Sequence, residues 1–375
     1  MMESFRIMEL SKGPRVRFSP FYERSVESGI RVATVYNRTV LPVATDDPKA
    51  DYEALTERVA IWDVGCQRQV QVHGPDALKL CRYMSARDLS QLKIGVAKYA
   101  PLCDHEGRLI NDPVVLRVDE ETIWFSIADS DILLWARAIA GEGDYDVEIT
   151  EPDVSPLAVQ GPMAAALIAQ VFGDWTKELK FFHFRRITHQ GIPLVICRSG
   201  WSKQGGFELF LEDSAKGADL WDLIWNAGKD FGIRAGGPNN VERMENFLFS
   251  WGSDADLDCD PFQCAIGQYV DLGVEHDFIG KEALIAKRVE GPTRELKGLL
   301  IDGEPLEANP TPVGLQNPNG TYAGETRIIC YSHKFQRNLG LGVIEVPNNL
   351  PGTKLKVETK DGWRPATVTD LPFDL

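Results

Sequence analysis

Apolar and polar residues alternate through Arg68–His73, in RQVQVH, until the chain reaches Gly74-Pro75. Beyond that dipeptide the spacing lengthens. Ala77, Leu80, Cys81 and Met84 recur at three- and four-residue intervals and fall on one face of a helix. The stretch predicts a strand, a tight turn and a helix. The same order returns in SPLAVQGPMAAALIAQVFG, with a short strand over Leu157–Gln160, a turn at Gly161-Pro162 and an apolar helix over Met163–Phe172 opened by proline. Two such units about 90 residues apart predict an internal duplication.

Between them, YAPLCDHEGRLINDPVVLRVDEETIWFSIAD alternates around turns at Glu106-Gly107 and Asp119–Glu121, a hairpin pattern. ADLWDLIWNAGKDFG and NNVERMENFLFSWG carry helical spacing, the first closed by Gly232. Ahead of Tyr52 the chain is rich in Arg, Pro and aromatics and predicts an irregular arm with short strands. After Gly291-Pro292 come ELKGLLID, TRIICYS, GLGVIEV, KLKVET and WRPATVTD, separated by Asn, Pro and Gly as in a small antiparallel barrel. This mixture predicts an α+β fold, with two subdomains over residues 1–295 and a β-barrel over 296–375.

Composition narrows the function. The chain has 375 residues, 43% of them hydrophobic, enough for more than one core. Its formal net charge of −15 offers no basic patch that would gain from counterion release, so no nucleic-acid partner is expected. The start, MMESFRIMELSKGPR, lacks the apolar core of a signal peptide, and no apolar run is long enough to span a bilayer; a cytoplasmic protein without a membrane partner is expected. Seven cysteines include no CxxC pair and six histidines no HxH or HExxH, so neither a disulfide framework nor a metal centre is expected. GxGxxG, P-loop and GxSxG patterns do not occur.

The segment RSGWSKQGGFELF, Arg198–Phe210, carries the clearest candidate chemistry. With period two, Phe207, Leu209 and Leu211 share one face while Glu208 and Phe210 share the other. That second face is either exposed or part of a pocket for a flat, nitrogen-rich ring, with Glu208 accepting paired N–H bonds and Phe210 packing on the ring. Trp201 stands in a glycine-flanked loop where packing alone favours a smaller residue. Rings of this kind suit a sulfonium or quaternary ammonium, at about 0.5–2 kcal/mol per ring. Asn111-Asp112-Pro113 is either a plain turn or a carboxylate at a strand mouth. Gly205-Gly206 is either a bulge or a place of close approach.

LAVQGP (157–162), GGFELF (205–210), VERMEN (241–246) and FIGKEAL (278–284), in that order, resemble the folate-dependent aminomethyltransferase family, the T-protein of glycine cleavage and its relatives. TVYNRTVLP (34–42), WDVGCQRQVQVHGPDAL (62–78), NDPV (111–114), RSGWSKQGGFE (198–208) and RAGGPNNVER (234–243) are most similar to its dimethylsulfoniopropionate demethylase branch. The resemblance implies a cloverleaf of three subdomains around a folate channel. It also implies transfer of a methyl group from a sulfonium to tetrahydrofolate, giving 5-methyltetrahydrofolate and 3-methylthiopropionate.

Carried over by position, Glu208 is the acid expected to hold the pterin, with Phe210, Tyr99 and Ser126 beside the folate. Tyr36, Trp175, Trp201 and Phe210 are expected around the methyl donor, and Asp112 and Trp201 in the catalytic roles. Phe210 replaces the tyrosine usual in the demethylases, so a hydroxyl is missing there. Asn111 stands where the glycine-cleavage branch has aspartate, and Asn239 near an arginine of that branch; both changes favour demethylation. The expected partners are a small-molecule methyl donor and folate, without a metal, and a homodimer is left open. Two alternatives remain: a demethylase of another sulfonium, a betaine or an N-methyl amino acid, and a folate-binding protein without catalysis.

Overall fold

A computed structural model describes residues 13–375. The amino-terminal part of the segment read above for a signal peptide, residues 1–12, lies outside the described residues. Strands Gln69–His73, Ala97–Tyr99, Val114–Arg117, Thr122–Ser126 and Glu148–Thr150 form a five-stranded antiparallel sheet. The alternation read from RQVQVH decides its two faces. Val70, Val72, Ile123 and Phe125 pack against Leu80, Cys81 and Met84 of helix Ala77–Met84 and against Ile132 and Ala136 of helix Ile132–Glu142.

The second half repeats this order of strand, helix, three strands, helix and strand: Ser155–Gln160, Ala164–Phe172, Phe184–His189, Ile192–Cys197, Gly206–Leu211, Gly217–Gly228 and Arg234–Gly236. The neighbours in its sheet are the same, except that strand Ala60–Asp63 is inserted between the first and last strands. Leu157, Val159, Phe207, Leu209 and Leu211 face the helices through Leu167, Ile168, Leu220 and Ile224. The expected duplication is therefore present in the topology. Gly74 and Gly161 close the first strand of each half, at φ +139° and +121°, where an added Cβ would lie 2.4 Å from Asp146 O and 2.6 Å from Arg58 O. Each donates its N–H to the residue before the fourth strand, Glu121 or Gly205. Both turns thus need glycine for conformation and for space.

The helix-free faces of the two sheets meet in one cluster, with Ala97, Leu116 and Trp124 from the first half and Phe184, Val195, Cys197 and Phe210 from the second. The arm is more regular than expected: helix Tyr22–Glu27 and hairpin Val32–Tyr36/Thr39–Ala44, turned by Asn37 and Arg38, both at positive φ. The helix expected from Met163 begins at Ala164, with Met163 as its N-cap: its carbonyl accepts the first helical bond, from Leu167 N, and its own N–H goes to Arg58 O. The helical pattern after Asn239 ends at Asn246; Phe247 turns left-handed, at φ +47°, and frees Phe249 and Trp251 to pack in the cluster under the barrel.

The C-terminal strands, from Arg294–Ile301 to Gly362–Thr369, close a six-stranded barrel. One buried carboxylate joins it to the remainder. Glu245 accepts from Ser332 Oγ of the barrel at 2.6 Å and from the Tyr52 hydroxyl of helix Pro48–Glu57 at 2.7 Å. All seven cysteines are buried as free thiols.

Candidate functional site

Strand Gly206–Leu211 lies between Ser155–Gln160 and Ile192–Cys197, with Glu208 opposite Ala158 and Cys197. Its helix side takes Phe207, Leu209 and Leu211, so Glu208 and Phe210 turn toward the other half. Glu208 is 7% exposed. Ser199 Oγ donates to its Oε2 at 2.5 Å, and the second oxygen has no hydrogen bond among the described residues. Burial pushes this carboxyl above its ordinary value, and the Ser199 bond pulls the other way.

Phe210 lies fully inside the cluster between the sheets, its ring centre 6.5 Å from that of Trp124. It forms a wall behind Glu208. The glycines have a local cause: Gln160, 1% exposed, gives Nε2 to Ser199 O and Phe207 O and receives the Ser202 hydroxyl at 2.8 Å. A Cβ on Gly200 would lie 2.1 Å from that amide, and one on Gly206 2.3 Å from Val159 O. Gly205 has open space around it.

A second carboxyl stands at the end of hairpin Leu102–Cys103/Leu109–Asn111. Asp112 Oδ2 accepts from the Tyr99 hydroxyl at 2.9 Å, while Oδ1 is buried without a partner. Burial, helped by the charge of Asp254, pushes Asp112 up to about 8 against the opposing bond from Tyr99. Burial and the nearness of Asp112 also hold the Tyr36 and Tyr99 phenols well above the usual range. Tyr269 packs edge-on to Tyr99 at 4.8 Å. Asn111 is the clamp beneath: its amide bonds Ala128 at both ends and Ser130 Oγ at 2.7 Å.

Trp201 joins the group through Asp254. Arg243 forms a buried two-point pair with Asp254, at 2.8 and 3.1 Å, and sets its guanidinium 5.8 Å from the Trp201 ring centre. Trp201 Nε1 donates to Phe249 O at 3.2 Å. Ser126 is on the same sheet face as Trp124 and accepts from Gln69 Nε2 at 3.0 Å.

Trp175 is the expected site residue that the fold removes. It packs on the helix-covered side of the second sheet, giving Nε1 to Phe172 O at 2.8 Å beneath the Arg185 guanidinium, so the sheet separates it from Glu208. Asn239 caps helix Asn240–Asn246 through the Val241 and Glu242 amides. Arg198, at the start of the RSGWSKQGGFELF segment, gives Nη1 to Leu179 O at 2.8 Å.

Sequence reasoning missed Ser199, Tyr269, Asp254 and the bracing role of Gln160. Ser199 and Gln160 lie inside quoted motifs and were within reach; Tyr269 and Asp254 carry no local signal. Two buried carboxyls, each tied at one oxygen by a hydroxyl, and a surround of aromatic rings fit a ligand with ring N–H donors beside a cationic one. Among the described residues no group of His, Cys, Asp and Glu could hold a metal ion, and no helix is long and apolar enough to cross a membrane.

The family model of the GCVT N-terminal domain matches residues 25–273, and that of the glycine cleavage T-protein C-terminal barrel domain matches 294–374. The dimethylsulfoniopropionate demethylase of Ruegeria pomeroyi is 42% identical over 357 residues, 95% of this chain and 97% of that one. An aminomethyltransferase of Bacillus cereus is 30% identical over 342 residues, 89% of this chain and 91% of that one. In fold, the chain is similar to the glycine cleavage system aminomethyltransferase T from Bartonella henselae, with TM-score 0.85 and 22% identity over 96% of this chain and 98% of that one.

Proposed function

The chain belongs to the glycine cleavage T-protein family of aminomethyltransferases, and from that premise we propose that it is a tetrahydrofolate-dependent demethylase. It transfers a methyl group from dimethylsulfoniopropionate to tetrahydrofolate, giving 5-methyltetrahydrofolate and 3-methylthiopropionate. The likeness to the Ruegeria demethylase supports the choice of donor. One observation carries the chemistry: Glu208 and Asp112 each have one oxygen tied to a hydroxyl and the other unbonded among the described residues.

Glu208 grips the N–H edge of the pterin with its unbonded oxygen, with Ser199 fixing the carboxyl. Tyr99 and Ser126 line the folate, Phe210 supports Glu208 from within the cluster between the sheets without presenting its ring to a ligand, and Tyr36 and Trp201 hold the sulfonium against aromatic faces. The protein's contribution is alignment, with nitrogen 5 about 3–3.5 Å from the methyl carbon and in line with sulfur. A carbon–nitrogen bond forms, the carbon–sulfur bond breaks with its electron pair on sulfur, and nitrogen 5 loses a proton.

Asp112 is suited to take that proton. A sulfonium beside it favours the carboxylate. Once the methyl has left, sulfur is neutral, and burial again raises the affinity of Asp112 for a proton. Incubating the protein with tetrahydrofolate and a panel of sulfonium, betaine and N-methyl donors tests the reading. Equimolar methylfolate and 3-methylthiopropionate are expected from dimethylsulfoniopropionate. Turnover of another donor alone overturns the choice of substrate, and folate binding without any turnover overturns the enzyme.

A further inference from the structure

VERMEN, residues 241–246, has no part in the chemistry above, yet its helix supports the loop that carries Trp201. Glu242 is 1% exposed. Its Oε1 accepts from the Lys203 amide at 3.0 Å, from Gln204 Nε2 at 3.0 Å and from Asn246 Nδ2 at 2.9 Å. Lys203 and Gln204 follow Trp201 closely in the connection of residues 198–205, whose counterpart in the first half is only 118–121. A short hairpin turn holds itself; a lengthened one needs another anchor. Beside Glu242, Arg243 lies over the Trp201 ring with Asp254 behind it.

The other end of the loop is held separately. Gln160 bonds Ser199 O, Phe207 O and Ser202 Oγ, and Ser199 in turn holds Glu208. No hydrogen bond joins Gln160 to Glu242. The loop has one anchor on its folate side and another on its tryptophan side.

We propose that Glu242 is a positioning residue for the methyl-donor half of the site: by fixing Lys203 and Gln204 it sets where Trp201 stands, and with that the affinity for the cationic donor. The inference rests on the function proposed above and assigns Glu242 no contact with either substrate. Loss of the anchor releases Lys203 and Gln204, so that Trp201 keeps only its Nε1 bond to Phe249 O and the Arg243 contact, and it leaves the bonds of Gln160 and the Ser199–Glu208 pair in place.

Two variants separate this role from general support. Glu242→Leu removes the acceptor; Glu242→Gln keeps Oε1 and its three donors. Three quantities are read: hydrogen exchange of the 201–205 amides, the tetrahydrofolate Kd by equilibrium titration, and KM and kcat for dimethylsulfoniopropionate. For the leucine variant we expect exchange about tenfold faster at Lys203, KM raised about tenfold and folate Kd within about twofold of wild type. The glutamine variant is expected to restore KM to within about threefold. Unchanged exchange and KM in Glu242→Leu overturn the proposal, and so does equal weakening of both substrates. If the leucine variant does not fold, Glu242→Asp, one methylene shorter, is judged by the same criteria. If wild-type protein makes no methylfolate from dimethylsulfoniopropionate, the functional reading fails by itself. Exchange and folate Kd then still decide Glu242: faster exchange at constant Kd supports the anchor, and unchanged exchange removes it.

Discussion

The two α/β halves map onto each other through their strand registers: Gly74 onto Gly161, Thr122 onto Gly206, Trp124 onto Glu208, Ser126 onto Phe210 and Tyr99 onto Arg186. Where the second half turns a carboxyl inward, the first inserts the Trp124 ring, with Nε1 given to Gln71 Oε1 at 2.9 Å. Where Gly206 leaves room for Gln160, Thr122 carries a hydroxyl 3.0 Å from His73 Nδ1. The mate position is not closed. A cavity of about 350 Å³ remains there, lined by His73, Asp119, Trp124 and, from the second half, Arg186 and Glu212. Arg186 and Glu212 satisfy each other, in contacts of 2.9 and 2.6 Å.

Duplication thus gives each half a matching inward position, and only the second half places a carboxyl on it, Glu208, where the first has the Trp124 ring. Leaving Asp112 Oδ1 buried without a partner costs about 1–3 kcal/mol, so folding alone gives no reason to keep it. The candidate site also gains from two additions to the common plan, one in each half. The first half carries an extra hairpin that ends at Asp112, and the second the longer connection that carries Trp201.

The largest expected break in this comparison comes from the extra hairpin. Asp112→Asn should lower kcat by about 10²–10⁴ in methylfolate assays, with both KM values nearly unchanged. Its pH signature has a definite sign. Because the folded carboxyl titrates near 8 against an ordinary 3.8, the folded state binds the extra proton between those values. Wild-type stability therefore falls as pH rises through that window, by at most about 1.4 kcal/mol per pH unit from this group. Denaturant melts of Asp112→Asn across the window should lack that component; a parallel loss in both proteins would place the titration elsewhere.

Next in size, Glu208→Gln should weaken tetrahydrofolate binding about 10- to 100-fold, whereas Trp124→Phe at the mate position leaves kcat/KM within about twofold. Equal losses at the two positions would erase the distinction between the halves. On stability instead of activity, Gly206→Ala should cost about 2 kcal/mol, through its clash with Val159 O at φ +149°. Thr122→Ala, its counterpart, should cost about 1 kcal/mol for one hydrogen bond. Urea titration of the pair orders them.

The repeated strand, turn and helix around Gly74-Pro75 and Gly161-Pro162 were legible because each half buries one face of a sheet, and that burial is written as local alternation. Glu208 was legible for the same reason: an acid between Phe207 and Leu209 can only turn to the other face. Trp175 was misplaced because its side of the sheet is set by the short helical turn after Phe172, which carries no period-two signal. The break at Phe247 was hidden because its cause is the barrel packing on Phe249 and Trp251. The supports for Trp201 and Asp112, namely Glu242, Asp254 and Tyr269, come from distant parts of the chain, and local periodicity does not encode such pairings.

Glu245 sets how the molecule comes apart. Its carboxylate is shared by helix Pro48–Glu57, the VERMEN helix and the barrel, so none of the three can leave without stranding an ion or a hydroxyl away from water. In calorimetry the chain should give one endotherm, its barrel melting with the substrate-binding halves instead of outlasting them as a separate module.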